Sequence, residues 1–306
     1  MLLNPPLLTL HEILHTPLPP VEWDCEPIIP HRRRIVVFGE FGALKSWILL
    51  DLSLHLALGI PWLSHPVPRP RRVLYIDEEM AEEDLRRRLH LLATGLTNCH
   101  PGVTVDTANF RAYSRVGVTF DQGGAAQLLA HLARAHFDPE VIMVEALIRV
   151  FRGNENFSVD VAAFWRHVEP LIRAGATVIV SHHMGKPNVE HPRPVRNRSR
   201  GSGEILAGSD VGWAIEEVTP GSVSQLTCVK TRSSRTPDPF QIRVADVAGG
   251  VQLSFPSPGQ DRAQDNDGGD QGLSPLRALA FGPGGSGAAE SRETRPPTRA
   301  LPSSWR

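Results

Sequence analysis

The stretch VVFGEFGALKSWILLDLS, residues 36–53, joins an apolar run to a glycine-containing turn, a Lys-Ser pair and a helical pattern. The apolar run predicts a buried strand, and the pattern from Lys45 onward predicts a helix that ends at Gly59. At the start of such a helix, backbone N–H groups can surround the oxygens of a phosphate. The stretch therefore predicts a phosphate-binding loop after the first strand of an α/β fold.

This loop departs at one position from the usual pattern Gly-x-x-x-x-Gly-Lys-Ser/Thr, in which lysine reaches the terminal phosphates and serine binds Mg²⁺. Gly39, Lys45 and Ser46 match, but Leu44 stands where the second glycine is usual, two residues after Gly42. A positive φ there would strain Leu44, and its side chain could crowd the phosphates. A purely structural glycine turn is the alternative, but the flanking strand and helix favour nucleotide binding. The residues predicted to surround the nucleotide are Gly39, Glu40, Phe41, Gly42, Ala43, Leu44, Lys45, Ser46 and Trp47.

Bulk properties exclude several other kinds of protein. The 306 residues carry a formal net charge of −1, so no overall basic excess indicates a nucleic-acid partner, and none excludes a local basic patch. The three cysteines lie far apart without CxxC spacing, which supports neither a zinc site nor a disulfide framework. No apolar run reaches the ~18 residues of a transmembrane helix, and the proline-broken N-terminus is a poor signal peptide. We therefore expect a soluble cytoplasmic protein without a membrane partner.

Short apolar runs alternate with helical patterns from residue 35 onward. Apolar runs separated by helices predict a mostly parallel sheet that helices cover on both faces. The predicted strands are 35–39, 72–77, 110–114, 140–146 and 176–183, and the predicted helices are 45–59, 81–96, 123–137 and 159–175.

The pattern changes after the strand that ends at His183. Residues 184–204 are rich in Pro, Arg and Gly, which predicts a long mobile loop. Further segments predict strands that are antiparallel at one edge of the sheet, namely 205–218, 224–231, 240–246 and 250–255. The predicted divisions are a lead-in segment (1–33), an α/β domain (34–255) and a low-complexity tail (256–306) that we expect to be disordered.

Acidic residues follow two of the predicted strands. Asp77, Glu78 and Glu79 end the second strand, and Glu145 ends the fourth. Beside a phosphate loop, one acid of the first group can orient or deprotonate the water that attacks the γ-phosphate. Acids that only favour a helix N-terminus are the alternative. Glu145 stands where a carboxylate can hold Mg²⁺ through water, although aspartate is usual there, and an acid that only aids solubility is the alternative.

Histidines and basic residues follow the next strand. His182 and His183 end it, and neighbouring strand residues point to opposite faces, so a metal ion shared by the two is disfavoured. Beside a γ-phosphate, such a histidine can sense whether ATP or ADP is bound. The basic residues either form a solvated loop, bind DNA phosphates or complete a neighbouring subunit's ATP site as an arginine finger. They are Arg196, Arg198, Arg200, Lys230 and Arg232.

Six segments, in their order and spacing, resemble the RepA-like, RecA-fold AAA-type ATPases, a family that includes hexameric replicative helicases of plasmids and phages. The resemblance covers about residues 20–255. The segments are GEFGALKSWILLDLSLHLALGIPWL, RRVLYIDEEMAEEDLRRRLHLL, VIMVEALIRVFRGNENFS, VIVSHHMGKP, RGSGEILAGSD and VKTRSSRTPDPFQIRV.

The resemblance implies a role for each matching residue. Glu79 takes the place of the catalytic glutamate, and Ser46 and Glu145 take the places of the magnesium ligands. His183 is the better candidate for the γ-phosphate contact, within a His-His-x-x-Lys sensor that ends at Lys186. The basic residues implied to act on a neighbouring subunit's ATP are Arg200, Lys230 and Arg232.

The resemblance also implies a ring, usually of six subunits, with ATP at the subunit interfaces and single-stranded DNA in the central channel. We therefore expect a Mg²⁺-dependent ATPase that couples hydrolysis to movement on DNA. A nucleotide-binding regulator or scaffold that hydrolyses ATP slowly is one alternative, indicated by Leu44 and Glu145. A small-molecule P-loop kinase is another, and it is disfavoured because such enzymes do not need a glutamate at the position of Glu79.

Overall fold

Strands and helices alternate through the computed structural model, which describes residues 7–105, 108–185 and 194–256. The helices within these ranges are α1 (Leu10–His15), α2 (Lys45–Leu58), α3 (Glu82–Cys99), α4 (Gly124–Arg134), α5 (Leu147–Val150), α6 (Ser158–Arg173) and α7 (Glu204–Ala207), with a 3-10 turn at Val195–Asn197. The strands are β1 (Trp23–Cys25), β2 (Ile29–Pro30), β3 (Arg34–Gly39), β4 (Val73–Asp77), β5 (Phe110–Ser114), β6 (Val141–Glu145), β7 (Thr177–His183), β8 (Val211–Thr219), β9 (Val223–Thr231), β10 (Phe240–Val247) and β11 (Gly250–Ser254).

The described strands form one large mixed sheet in the order β11-β10-β9-β8-β3-β7-β6-β4-β5, and β1 pairs with β2 in a small antiparallel ribbon. The strands from β8 to β5 run parallel to one another. β9, β10 and β11 continue the sheet as an antiparallel meander. This arrangement confirms the predicted α/β fold, with a mostly parallel sheet and antiparallel strands toward the C-terminal end.

The predicted strand at 205–218 is wrong in its first part, because Glu204–Ala207 form α7 and β8 begins only at Val211. The Lys230 ammonium, on β9, donates hydrogen bonds to three backbone carbonyls at the end of α7, at 2.6 to 2.7 Å. Carbonyls at a helix end lack intrahelical partners, so Lys230 stabilises this helical turn from a neighbouring strand. β8 also runs parallel to β3, and its antiparallel pairing is with β9.

Alternation along the parallel strands assigns neighbouring residues to opposite faces of the sheet. Ile35, Tyr75 and Met143 belong to the core on the face that α2 and α3 cover. Their neighbours Val36 and Ile76 belong to the core on the face that α4 and α6 cover. Because odd-numbered residues of β3, β4, β6 and β7 share the α2 face, the last residue of each of these strands lies on that face.

Strand register brings these last residues to one edge of the sheet. Gly39 on β3 lies opposite His183 on β7 and Ile215 on β8, and Asp77 on β4 lies opposite Glu145 on β6. We call this the carboxyl edge, and we call the edge where β3, β4, β6 and β7 begin the amino edge. In parallel α/β sheets, ligands commonly bind outside the carboxyl ends of the strands.

α2 begins at the carboxyl edge and packs against one face of the sheet. Eleven of its 14 residues are buried, and a helix that is apolar on most sides is stable only inside a protein core. On the neighbouring helix α3, a Cβ atom at Gly95 would lie 2.0 Å from the carbonyl oxygen of Val251. The absence of a side chain at Gly95 therefore lets the meander pack directly on α3.

Part of the predicted lead-in segment contributes to the core, because Cys25, Ile28 and Ile29 are buried. α1, in contrast, has no buried residue, although a capping box between Thr9 and Glu12 closes its first turn. Residues 23–30 are therefore continuous with the domain in packing, and α1 is not.

Some predictions fall outside the described residues. These are residues 186–193 of the predicted mobile loop, which include Lys186, and the predicted tail from residue 257 onward. Met184, two residues before residue 186, forms a β-bridge with Ser199. None of the described helices is long and apolar enough to cross a membrane.

Candidate active site

The turn between β3 and α2 contains two positive φ angles. Gly42 has a φ of 86° and Leu44 a φ of 55°, which costs a non-glycine residue about 1–2 kcal/mol. Leu44 is the N-cap of α2, and no described side chain caps this helix end. The first N–H groups of α2 are therefore available to an anion. The Leu44 side chain is 9% exposed and packs in the core on the α2 face, so it does not occupy the space in front of the loop.

The close approach of β3 to β8 requires a glycine at the start of the loop. A Cβ atom at Gly39 would lie 2.7 Å from the carbonyl oxygen of Ile215. Lys45 folds back over this turn, and its Nζ donates to the carbonyl oxygens of Gly39 at 3.1 Å and Glu40 at 2.6 Å. Burial lowers the pKa of Lys45, and the nearby carboxylates of Glu145, Glu79 and Glu40 oppose that shift. The ammonium is thus held at the mouth of the loop, among acids.

Ser46 and Glu145 lie in direct contact at the carboxyl edge. Ser46 Oγ donates to Glu145 Oε1 at 2.6 Å, and the hydroxyl of Tyr75 donates to Glu145 Oε2. Glu145 is 3% exposed, and burial, followed by the charge of Asp77, raises its pKa above the usual range. The two predicted magnesium ligands are therefore adjacent, and Tyr75 is a partner that sequence reasoning missed.

Asp77 forms the turn that places Glu79. Its Oδ1 accepts hydrogen bonds from the N–H groups of Glu79 and Met80, both at 2.8 Å. Its Oδ2 is buried without a hydrogen-bond partner among the described residues. Burial raises the pKa of Asp77, and the two backbone hydrogen bonds oppose that shift. Aspartate commonly accepts hydrogen bonds from backbone N–H groups two or three residues later in a turn, so its position after a strand could have predicted this role. From the sequence, Asp77 was predicted only as one of three neighbouring acids.

Glu79 lies between a histidine and an arginine. Its Oε1 is 3.8 Å from His183 Nε2 and 3.5 Å from Arg149 Nε. His183 lowers the pKa of Glu79, burial opposes that effect, and Arg149 adds to the lowering. Arg115 Nε donates to the backbone carbonyl of Glu79 at 2.9 Å. Sequence reasoning identified Glu79 and His183, but it missed Arg149 on α5 and Arg115 in the loop after β5, because no spacing rule singles out either residue.

The two histidines of β7 separate as their alternation predicts. His183 is partly exposed and faces Glu79. His182 is fully buried on the opposite face, where its Nε2 contacts the backbone carbonyl of Arg200 at 2.8 Å and lies 3.9 Å from Glu155. Burial lowers the pKa of His182. The structure therefore brings His183 alone of the pair to the α2 face, and the third predicted sensor residue, Lys186, lies outside the described residues.

The predicted trans-acting residues lie at two different edges of the sheet. Arg200 lies near the carboxyl edge, where its Nε pairs with Glu155 Oε1 at 2.8 Å. Lys230 and Arg232 lie at the amino edge, because the neighbouring Thr231 is paired with Val211 at the start of β8. These two cannot reach the phosphate loop of their own chain without unpairing β9.

Both amino-edge cations have partners in their own chain. Arg232 Nη1 lies 3.4 Å from Asp210 Oδ1, and just over half of the Arg232 side chain is exposed. Burial, with the neighbouring charge of Arg232, lowers the pKa of Lys230 to about 8. Lys230 is therefore engaged in stabilising α7, and Arg232 is the more accessible of the two.

The protein groups at the carboxyl edge fit a nucleotide with Mg²⁺. Among the described residues, no group of three or more His, Cys, Asp or Glu could hold a metal ion by itself. Mg²⁺ in nucleotide sites keeps water and phosphate oxygens and takes one or two protein oxygens, which Ser46 and Glu145 can supply. The buried, unpaired Oδ2 of Asp77 is a further acceptor at the same edge. The uncapped start of α2 and Lys45 supply the complementary groups for phosphate.

Comparison with known proteins gives one family and a shared fold. A family model described as an AAA domain matches residues 3–189, which is more than half of the chain. No curated protein matches the chain. Among solved structures, the chain is similar to "The Structure Of A DnaB-Like Replicative Helicase And Its Interactions With Primase", with a TM-score of 0.56 and 11% identity. The match covers 79% of this chain and 66% of that chain. At this identity the similarity shows the fold, which confirms the predicted RecA-like core.

Proposed function

The chain belongs to the AAA domain family, and we propose that it is a Mg²⁺-dependent ATPase that works as a ring on single-stranded DNA in the cytoplasm, as a helicase or helicase-like replication protein. One observation carries the proposal. The ends of adjoining parallel strands place Glu145, Glu79 and His183 on the same face and edge as the Lys45–Ser46 pair of an uncapped helix. This is the arrangement that phosphoryl transfer from a bound nucleoside triphosphate requires.

Each group has a distinct task in the proposed reaction. Lys45 leaves the carbonyls that it now contacts and neutralises the terminal phosphates. Ser46 and Glu145 would hold Mg²⁺, which would supply charge neutralisation on the phosphate oxygens. Glu79, whose pKa is lowered by His183, is ionised at neutral pH and orients the attacking water. The Asp77 turn fixes the backbone of Glu79 during this step.

His183 links the catalytic acid to the state of the nucleotide. It lies 3.8 Å from Glu79 and is partly exposed at the edge where a γ-phosphate would lie. A phosphate that attracts His183 would release Glu79 from this ion pair and leave its carboxylate free for water. The proposed sensor therefore acts on the catalytic residue directly.

The position of Arg232 supports a ring with shared active sites. Arg232 is at the amino edge, opposite the phosphate loop of its own chain, so it can act on a nucleotide only from a neighbouring subunit. Lys230 lies beside it, and Arg200 lies at the carboxyl edge. The similar solved structure is described as a replicative helicase, which supports action on DNA.

The ATPase rate of the full chain, with and without single-stranded DNA, tests the proposal. Lys45→Ala should reduce turnover by about a hundredfold or more, because charge neutralisation of the transferred phosphate is lost. Arg166→Ala, which removes an exposed cation from α6, should leave the rate unchanged. A wild-type protein that hydrolyses no ATP under either condition would refute the proposed activity.

Mixing two inactive variants tests the shared site. Lys45→Ala and Arg232→Ala should each be inactive alone, because each lacks one half of every active site. In mixed rings, some interfaces join an intact phosphate loop to an intact Arg232, so activity should return. Mixtures that stay inactive, or a solution mass equal to that of a monomer with ATP present, would exclude trans action by Arg232.

A regulator or scaffold that hydrolyses ATP slowly is the second candidate, and the surroundings of Glu145 favour it. Both carboxylate oxygens of Glu145 are engaged by Ser46 and Tyr75, and burial raises its pKa, which weakens it as a metal ligand. Glu79→Gln discriminates the two functions. Turnover that falls about a hundredfold supports the motor, whereas turnover equal to that of the exposed control Glu83→Gln supports the regulator.

A further inference from the structure

Arg198 lies beside the phosphate loop of its own chain. Its Nη1 donates to Glu216 Oε1 at 2.6 Å, and its Nη2 donates to Glu40 Oε1. The Arg198 side chain is 14% exposed, so the guanidinium is not a solvated contact for DNA. Both terminal nitrogens instead bind carboxylates of the same chain, 18 and 158 residues away along the sequence.

The contact with Glu40 leads directly to Lys45. The backbone carbonyl of Glu40 accepts a hydrogen bond from Lys45 Nζ at 2.6 Å. The N–H of Glu40 donates to the carbonyl oxygen of Ile215 at 3.3 Å, and its Oε2 accepts from the N–H of Glu217 at 3.4 Å. Arg198 therefore holds the side chain of the residue whose backbone holds the phosphate-binding lysine.

The other carbonyl that Lys45 contacts is supported from the same side. The Gly39 oxygen accepts hydrogen bonds from Lys45 Nζ at 3.1 Å and from the N–H of Met184 at 2.9 Å. Gly185, next to Met184, donates its N–H to the carbonyl oxygen of Arg198 at 2.7 Å. The Arg198 side chain therefore contacts Glu40, and its backbone carbonyl contacts Gly185. These contacts hold the segments next to the two carbonyls, of Gly39 and Glu40, that Lys45 contacts.

Charge gives Arg198 a second effect on the loop. Three carboxylates lie on the β8 side of the phosphate loop, on Glu40, Glu216 and Glu217, and Glu217 Oε1 would be 3.5 Å from a Cβ atom at Gly42. Carboxylates beside the loop repel an approaching triphosphate. Arg198 pairs with Glu40 and Glu216 and therefore neutralises two of these three charges.

We propose that Arg198 is a positioning residue for nucleotide binding in its own subunit. By pairing with Glu40 and Glu216, it holds the main chain of the phosphate loop in place beneath Lys45 and neutralises two of the acids beside the loop. The inference rests on the proposed nucleotide site, and Arg198 acts through Glu40 without touching the nucleotide. This role differs from contact with DNA or with a neighbouring subunit's ATP.

The dissociation constant of ATP with Mg²⁺, measured on the full chain without DNA, tests the proposal. Arg198→Met should weaken binding about tenfold, because it leaves two carboxylates unpaired beside the loop. Arg198→Lys, which keeps the charge but not the two-pronged geometry, should fall between this variant and the wild type. Arg166→Met, a loss of an exposed arginine on α6, is the matched control and should bind ATP as the wild type does.

A second change at Glu40 separates positioning from general damage to the fold. Glu40→Gln combined with Arg198→Met removes one of the two carboxylates that are left unpaired, so part of the lost affinity should return. The turnover number at saturating ATP should stay within about twofold of the wild type in each Arg198 variant, while KM rises.

The possible outcomes are distinct. Wild-type affinity in Arg198→Met overturns the inference, and so does a loss of affinity that Glu40→Gln does not relieve. If Lys45→Ala binds ATP as tightly as the wild type, the nucleotide site itself is refuted. Weak binding by Lys45→Ala with unaltered binding by Arg198→Met refutes the role of Arg198 alone.

Discussion

The two edges of the parallel sheet differ in how their buried charges are paired. At the amino edge, Arg71 is 1% exposed, and its Nε lies 2.9 Å from a fully buried Asp24, which also pairs with His31 at 2.7 Å. At the carboxyl edge, the buried acids Asp77 and Glu145 lie opposite each other on neighbouring strands. The amino edge therefore neutralises its charges within the chain, and the carboxyl edge keeps two acids together.

This difference indicates which edge serves stability and which serves function. A buried charge with a partner of opposite sign and hydrogen bonds is tolerated in a core. Burial raises the pKa of both Asp77 and Glu145, and the charge of Asp77 raises the pKa of Glu145 further, so keeping the two acids side by side destabilises the fold. We expect an arrangement that costs stability to be retained where an incoming group, such as the proposed Mg²⁺ with a nucleotide, relieves it.

The largest expected effect is at the amino edge. Arg71→Met leaves Asp24 buried without its cation, so the free energy of unfolding should fall by about 4 kcal/mol. Arg69→Met, which removes a half-exposed arginine from the same network, should cost less than about 1 kcal/mol. Chemical denaturation of the two variants checks this, and equal losses would show that burial of Arg71 is not what matters.

The next effect depends on pH. Burial raises the pKa of Glu140, but Arg69 and Arg72 outweigh it and lower the pKa to about 2. Because the folded pKa is below the unfolded value, the stabilisation is fully present above about pH 4.5 and is lost as pH falls toward 2. Because the partners Arg69 and Arg72 are partly exposed and solvent screens these ion pairs, Glu140→Gln should cost about 1–2 kcal/mol at pH 7 and almost nothing near pH 2.

Unfolding curves of Glu140→Gln and the wild type across this pH range provide the measurement. A difference in stability that does not depend on pH would mean that Glu140 acts by packing rather than by charge. The amino edge would then no longer be distinguished by its ion pairs.

At the carboxyl edge, removing a charge should raise the free energy of unfolding, whereas at the amino edge it should lower it. Asp77→Asn removes one of the two neighbouring acids and keeps an oxygen that can accept the N–H of Glu79. The free energy of unfolding at pH 7 should therefore rise by about 1 kcal/mol, as expected where an active site holds unfavourable charge. Asp138→Asn, at an exposed acid, should change stability by less than about 0.5 kcal/mol. Destabilisation by Asp77→Asn would contradict the assignment of the carboxyl edge to function.

The smallest effect concerns the backbone of the phosphate loop. Leu44→Ala and Leu44→Gly both lose buried apolar area, but only glycine adopts the positive φ of this position without strain. The glycine variant should therefore be more stable than the alanine variant by about 0.5–1 kcal/mol, after its greater unfolded-state entropy is included. Thermal unfolding of the two variants measures the difference, and the reverse order would show that Leu44 is unstrained.

Local pattern was sufficient for much of the fold and of the site. The apolar runs predicted every parallel strand from β3 to β7, with ends within three residues of those observed. The same alternation predicted that His182 and His183 separate to opposite faces. It failed at α7, where the apolar stretch after Glu204 resembles a strand, because Lys230 supplies hydrogen bonds from a distant strand.

The sequence by itself determined the glycine-containing turn between β3 and α2, the order of strands and helices along the chain, and the acids and histidine at the strand ends, because these depend on spacing between near neighbours. Only the tertiary structure decided how the charges pair. Glu40 with Arg198, Ser46 with Glu145 and Lys230 with α7 join residues that are 158, 99 and about 20 positions apart. Their pairing follows from the order and register of the strands, which place distant segments side by side. Local periodicity carries no information about strand order or register.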